Sequence, residues 1–162
     1  MGIINYLWTT FWGKILMTFL ISMVPVIELR GSLPIAEGAG LDFFIALPVA
    51  IIGNLLPIPF IIIFIKRIFA FIRKRMPKLN KIVDKLEKRA ESKRETVEKY
   101  AFWGLFIFVA IPLPGTGAWT GALIAAMMDM PLKKAFPSII LGVLCAAAIV
   151  TLVTQGAFAI FS

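Results

Sequence analysis

Hydrophobic segments of very different lengths alternate along the chain, and their lengths predict the elements. Residues 43–65 and 135–161 are long enough to cross a bilayer, because about 20 apolar residues span its hydrocarbon core. Residues 15–27 and 101–111 are apolar but reach only about 20 Å at about 1.5 Å per residue. The aromatic residues of 1–12 favour an interfacial N-terminal helix. We therefore expect two transmembrane helices and two helices that stop part of the way through the membrane.

Each short apolar segment is followed by a polar motif at the depth of the membrane centre. The first, here called the Glu28 motif, is Glu28-Leu29-Arg30-Gly31-Ser32-Leu33-Pro34. The second, here called the glycine-rich motif, is Pro112-Leu113-Pro114-Gly115-Thr116-Gly117-Ala118-Trp119-Thr120-Gly121. Irregular backbone at this depth is tolerated only where protein or a water-filled cavity satisfies it. We therefore predict two re-entrant helical hairpins that break at these motifs, the first returning to Asp42, which we expect to cap the next helix.

The two halves of the chain share one order: short apolar segment, polar motif, short return and full span. Pro48 and Gly53 in the first half match Pro137 and Gly142 in the second at one fixed offset. Each half crosses the membrane once, so a cytoplasmic connection between them would invert the second half. The predicted fold is a single all-α integral membrane domain of two inverted repeats, about 13–65 and 101–161. Each repeat is a re-entrant helical hairpin plus a full transmembrane helix.

Within the first full span, several residues are expected to kink or loosen the helix. They are Pro48, Gly53, Asn54, Pro57 and Pro59.

Charge is concentrated between the two halves. The chain has 162 residues, 60% of them hydrophobic, and a net charge of +8. Thirteen of the 17 basic residues and five of the nine acidic ones lie in 66–99, so this segment carries the whole net charge. The positive-inside rule then predicts a cytoplasmic loop of a multi-pass protein of the cytoplasmic membrane, not a nucleic-acid patch. Apolar residues at helical spacing predict a basic amphipathic connector helix within 66–100, either a solvated connector or a partner-binding arm.

The Glu28 motif offers charged groups for binding and for ion coupling. Arg30 stays protonated, and its planar fork can hold a phosphate or a carboxylate, with Gly31 and Ser32 beside it. The alternative is an ion pair with Glu28 or Glu37 that fixes the hairpin. Glu28 and Glu37 are candidate ion-coupling residues, because an ionisable group inside a membrane is a candidate functional group.

The glycine-rich motif offers backbone amides. Around Gly115, Thr116 and Gly117, glycines let successive amides face one concavity, and the helix that follows presents its positive end. A phosphate fits this arrangement, although the Gly-Lys-Ser/Thr ending of a Walker loop is absent. The alternative is a tight turn that needs glycine only for close packing, and Trp119 either flanks the ligand or packs. We expect the two motifs to form the two halves of one site.

The residue inventory argues against catalysis. The chain has no histidine and one cysteine, which excludes a His/Cys metal site and a Ser/His pair. We therefore expect neither an enzyme nor a cofactor.

The Glu28 motif and the glycine-rich motif resemble those of the small multidrug export family. The order of two hydrophobic halves joined by a basic connector extends this resemblance over nearly the whole chain. That family is similar to the DedA superfamily, whose members carry paired re-entrant hairpins with acidic and arginine residues. The resemblance implies a transporter, since some DedA members are implicated in moving undecaprenyl phosphate or phospholipids with proton or sodium coupling.

Three functions follow as expectations. The first is an ion-coupled flippase for an anionic lipid such as a polyprenyl (undecaprenyl) phosphate or a phospholipid, with the phosphate held by Arg30 and the amides near Gly115. The second is a proton-coupled exporter of cationic compounds that uses Glu28 or Glu37, although Arg30 would repel a cation. The third is a membrane scaffold or assembly protein. The expected partners are the lipid bilayer and a second copy in a homodimer, because two spans form a thin wall, and no nucleic acid is expected.

Overall fold

The computed structural model describes residues 3–98, 102–113 and 115–161. Pro114 of the glycine-rich motif therefore lies outside the described residues, as do residues 99–101, where the predicted connector ends and the second repeat begins. In this part of the chain every regular element is a helix. The elements are α1 (Ile3–Thr9), α2 (Phe11–Ser22), α3 (Glu28–Gly38), α4 (Phe43–Leu55), α5 (Ile58–Arg75), a one-turn 3₁₀ helix (Pro77–Leu79), α6 (Asn80–Glu98), α7 (Phe102–Ala110), α8 (Ala118–Met127) and α9 (Leu132–Phe161).

The helices group into two compact units. The first unit contains the described residues up to Pro57 and those from Val143 onward, and the second is Ile58–Gly142. In the first unit α2, α3 and α4 pack against one another, and in the second α8 packs against α5, α6 and α7. Helix α9 therefore begins in the second unit and ends in the first.

Two helical stretches, Phe43–Arg75 and Leu132–Gly156, are long and apolar enough to cross a membrane. This confirms two candidate spans in the predicted places. The first is interrupted between α4 and α5, because Pro57 and Pro59 have no N–H to donate to the helix. Helix α5 continues beyond the apolar stretch to Arg75, so it takes up the start of the predicted connector.

The Glu28 motif is helical, and the prediction that it breaks the helix was wrong. Helix α2 ends at Ser22, the chain turns over residues 23–27, and α3 begins at Glu28, which has a φ of 51°. The break falls upstream because Pro25 cannot donate within a continuing helix. Glu28 in turn suits a first helical turn, where the helix dipole favours negative charge. The motif therefore presents side chains from a helix rather than amides from a loop.

Helices α3 and α8 end in the same way. After α3, Gly40 has a φ of 75° and the next N–H donates to Ala36 O at 3.0 Å. After α8, Asp129 has a φ of 52° and the next N–H donates to Ala125 O at 2.9 Å. Both are left-handed turns of the Schellman type, and they lie 89 residues apart in the sequence.

Two glycines at close helix contacts are also separated by 89 residues. A Cβ on Gly53 of α4 would lie 2.6 Å from Phe19 O of α2, and one on Gly142 of α9 would lie 3.0 Å from Phe106 O of α7. Each long helix thus packs against the preceding short helix through a glycine that touches backbone. The two halves share these local features, whereas the inversion of one half relative to the other and the re-entrant path stay predictions.

The amphipathic connector helix is present as α6, and it packs into the second unit. Val83 and Ala90 are buried, and α6 lies against α8. The Arg73 guanidinium of α5 donates to Asp84 at 2.7 Å and to Glu87 at 2.5 Å. The apolar stripe predicted from the sequence therefore holds α6 beside the glycine-rich motif, and its cytoplasmic location stays a prediction.

Candidate functional site

The Glu28 motif presents two different faces of α3. Glu28 is 5% exposed and Ser32 is fully buried, with its hydroxyl donating to Leu29 O at 3.3 Å. Arg30 is half-buried and, at about 100° per residue, lies on the other side of the helix from Glu28. Glu28 and Arg30 nevertheless attract each other electrostatically. Gly31 is also half-buried, and a Cβ there would lie 2.5 Å from the Ile27 side chain.

Glu37 lies two turns from Arg30 on the same face of α3. Its Oε1 accepts a hydrogen bond of 3.3 Å from Gln155 of α9, and its Oε2 is buried with no hydrogen-bond partner among the described residues. It opens on a cavity of about 520 Å³, here called the Glu37 pocket. The pocket is lined by Glu37, Gly40, Leu41, Asp42, Phe43, Phe44 and Gln155.

Two other charged groups shape the Glu37 pocket. Asp42 caps α4 as predicted, because its Oδ1 accepts a hydrogen bond of 2.9 Å from Phe44 N. The Lys14 ammonium donates to Gly40 O at 3.4 Å. The pocket therefore combines two carboxylates with one nearby cation.

The glycine-rich motif forms the loop that leads into α8. Gly115 has a φ of 89° and Gly117 a φ of 143°, values that favour glycine. The Thr116 hydroxyl donates to Ile111 O at 2.7 Å or Leu113 O at 2.9 Å, so it holds the loop together. Gly117 is the N-cap of α8 and offers no side-chain cap, which leaves the first amides of α8 facing the loop.

The last part of the glycine-rich motif serves packing. Trp119 is half-buried in the first turn of α8, and Gly121 is buried. A Cβ on Gly121 would lie 2.6 Å from the Val109 side chain of α7. The close-packing interpretation therefore holds for Gly121, whereas Gly115 and Gly117 are required by their backbone conformation.

Arg89 of α6 lies against the loop, and the sequence analysis missed it. A Cβ on Gly115 would collide with the Arg89 guanidinium. Nothing in the sequence distinguishes Arg89 from the other basic residues of 66–99, because its position depends on how α6 packs against α8. The structure thus adds a cation to the loop that the sequence had already selected.

The predicted site residues divide between the two units. Glu28, Arg30 and Glu37 belong to α3 in the first unit, and the loop with Arg89 belongs to the second. That the two motifs form a single site stays a prediction.

One family model matches the chain. It is described as "Putative small multi-drug export protein" and covers residues 28–149. The match runs from the Glu28 motif through the glycine-rich motif into α9, so it contains all of the predicted site residues. No curated protein and no solved structure matches the chain.

Proposed function

This chain belongs to the family of small multi-drug export proteins, and from that premise we propose that it is a transporter for an anionic lipid. The proposed activity is ion-coupled translocation of a polyprenyl phosphate, or of a phospholipid, across the cytoplasmic membrane. The phosphate head group is the part that the protein binds and moves.

The observation that carries this proposal is the position of Arg89 on the loop that precedes α8. The loop leads into the N-terminal end of α8, which has no side-chain cap, and the positive end of the helix dipole attracts anions there. A guanidinium beside the N-terminal end of a helix favours a phosphate, because Arg forms charge-assisted and often bidentate hydrogen bonds with it. Arg30 supplies a second cation within the family-matched region.

A small protein is sufficient for this task. The acyl or prenyl tail stays in the lipid, so only the head group needs a polar path. Two inverted repeats whose hairpins open to opposite faces would give alternating access. Glu28 and Glu37 are the proposed ion-coupling residues, and a homodimer is the proposed assembly.

A second function is export of a cationic compound, and the Glu37 pocket favours it. The pocket carries the carboxylates of Glu37 and Asp42, and Glu37 Oε2 is buried without a hydrogen-bond partner in the described part of the chain. An ammonium group would satisfy this oxygen. The description of the family agrees with this activity, whereas the Lys14 ammonium at Gly40 weakens the attraction.

Ligand-induced stabilisation separates the two functions. We expect a polyprenyl phosphate at 100 times its Kd to stabilise the purified protein by about 2.7 kcal/mol, which raises Tm by about 5–10 °C. The matched control is the polyprenol with the same tail and no phosphate, which should give a much smaller shift. A shift with a quaternary ammonium compound and none with the phosphate lipid would replace the first function by the second.

The variant Glu37→Gln tests the second function directly. If the Glu37 pocket binds a cation, removing the carboxylate charge should abolish any Tm shift given by the ammonium compound. The shift given by the phosphate lipid should persist, reduced at most by the loss of ion coupling, because the phosphate is proposed to bind at the loop with Arg89 in the second unit. An ammonium shift that survives in Glu37→Gln would exclude the pocket as the cation site.

A further inference from the structure

Asn54 carries a buried side-chain amide without hydrogen bonds to the described residues. It lies in α4, its exposed fraction is 0%, and neither Oδ1 nor Nδ2 has a partner in the part of the chain that the structure describes. Leaving a buried polar group unsatisfied costs about 1–3 kcal/mol. Polar side chains inside a membrane are rare enough that each is a candidate functional group. The amide therefore points to a ligand that fills the site during the working cycle.

The fold does not require an amide at this position. Pro48 and Gly53 match Pro137 and Gly142 at an offset of 89 residues, so the next matched pair is Asn54 and Val143. Val143 is buried as well, with 1% of its surface exposed. The corresponding place in the second half is thus filled by an apolar side chain of similar size.

Other buried oxygen atoms lie at the same end of the first unit. Gly53 packs on Phe19 and Ser22 at the end of α2, and the short turn after α2 leads to Glu28. Ser22 is fully buried and Glu28 is 5% exposed. The Ser22 hydroxyl donates to Phe19 O at 2.7 Å, so its oxygen still has lone pairs that can coordinate a cation. The hydrogen bond between Lys14 and Gly40 marks the opposite end of these helices.

We propose that Asn54, Ser22 and Glu28 form a binding site for a dehydrated monovalent metal cation, Na⁺. Amide, hydroxyl and carboxylate oxygens are hard ligands of the kind that such cations take. A single carboxylate balances one positive charge, which favours a monovalent over a divalent ion. An amide cannot exchange a proton, so a proton site would leave Asn54 without a role, whereas Oδ1 can coordinate a metal ion.

The inference deepens the proposed function and rests on it for its purpose. Glu28 attracts Arg30 electrostatically and so offsets part of its positive field. A Na⁺ ion bound to Glu28 cancels that effect and leaves Arg30 free to attract an anion. The bound cation should therefore raise the affinity for an anionic head group, and by linkage the head group should raise the affinity for Na⁺.

The test is the Tm of purified protein in NaCl and in choline chloride at equal ionic strength, without added lipid. We expect the Tm of the wild type to rise with NaCl and to saturate, with a rise of about 5–10 °C at 100 times Kd. In Asn54→Val the rise should disappear, while Tm in choline chloride should equal or exceed that of the wild type. The control is Ser138→Ala, which loses a buried hydrogen bond of 2.7 Å to Phe102 O. It should lower Tm but keep the full response to Na⁺.

Two results would overturn the site: a wild type that responds equally to NaCl and choline chloride, or an Asn54→Val protein that keeps the Na⁺ response. If Asn54→Val does not fold, Asn54→Ala takes its place with the same two outcomes. If NaCl raises Tm but polyprenyl phosphate does not, the proposed function is wrong and the cation site stands. If polyprenyl phosphate raises Tm but NaCl does not, the cation site is wrong and the proposed function stands.

Discussion

Replacing Arg89 with alanine is expected to weaken the binding of polyprenyl phosphate by about 10- to 100-fold. A hydrogen bond to a charged group contributes about 1.5–3 kcal/mol, and about 1.4 kcal/mol corresponds to a factor of ten in Kd. Arg89 lies against Gly115, next to the N-terminal end of α8, which has no side-chain cap. A phosphate bound there would accept hydrogen bonds from the guanidinium and from backbone amides. Arg89→Lys should lose less, because it keeps the charge and loses only the planar fork. The measurement is a lipid titration that follows Tm.

The matched control for Arg89 is its neighbour Lys88. Lys88 carries the same charge on the same helix, but it lines a separate surface cavity of about 400 Å³ with Lys81, Asp84 and Lys85. Lys88→Ala should therefore change Kd by less than about twofold, in line with a screened surface charge. An equal loss of affinity in Arg89→Ala and Lys88→Ala would show that only the net charge of α6 matters for binding. An unchanged Kd in Arg89→Ala would remove the loop as the phosphate site.

Valine at Gly53 should strongly destabilise the first unit. Its Cβ would lie 2.6 Å from Phe19 O, a backbone atom of α2 that cannot move aside without displacing the helix. Overpacking of this kind costs about 1–3 kcal/mol or more. At about 2–4 °C per kcal/mol, Tm should fall by about 5–10 °C. The measurement is thermal unfolding of the purified protein in detergent.

Gly156 provides the control for this effect. It lies in α9, and a Cβ there would meet no atom of the described residues within 4 Å. Gly156→Ala should leave Tm unchanged or raise it slightly, because alanine stabilises a helix interior by about 0.5–1 kcal/mol relative to glycine. A Gly53→Val protein as stable as Gly156→Ala would show that α2 and α4 are not in backbone contact.

The lengths of the apolar segments predicted the two candidate spans. The residues that cap or interrupt helices were predicted only in part. Asp42 was predicted as a cap and accepts the Phe44 N–H. The break before α3 was misplaced, because charged residues were taken as the interruption while the upstream Pro25 is the residue that cannot donate. The length of α5 was missed for a related reason: Lys66 and Arg67 ended the apolar run without ending the helix.

The candidate site shows a similar division. The positive φ angles of Gly115 and Gly117 follow from residue type, and the sequence had selected that loop. Arg89 could not be selected, since its contact with Gly115 is created by the packing of α6 on α8. Asn54 was interpreted only as a residue that loosens the first span. Its complete burial, with no side-chain hydrogen-bond partner among the described residues, depends on how α4 packs against its neighbouring helices, which a single segment does not reveal.

Transport of the phosphate lipid in reconstituted vesicles tests the central claim most directly. The protein is placed in liposomes that carry a polyprenyl phosphate in both leaflets, and an external phosphatase reports how fast inner-leaflet head groups become accessible. We predict hydrolysis of the whole lipid pool with the wild type, and of only the outer half, on the same time scale, with Arg89→Ala or in protein-free vesicles. Hydrolysis that stops at the outer half with the wild type, in sealed vesicles at any NaCl concentration, would contradict the proposal that this protein moves lipid phosphates.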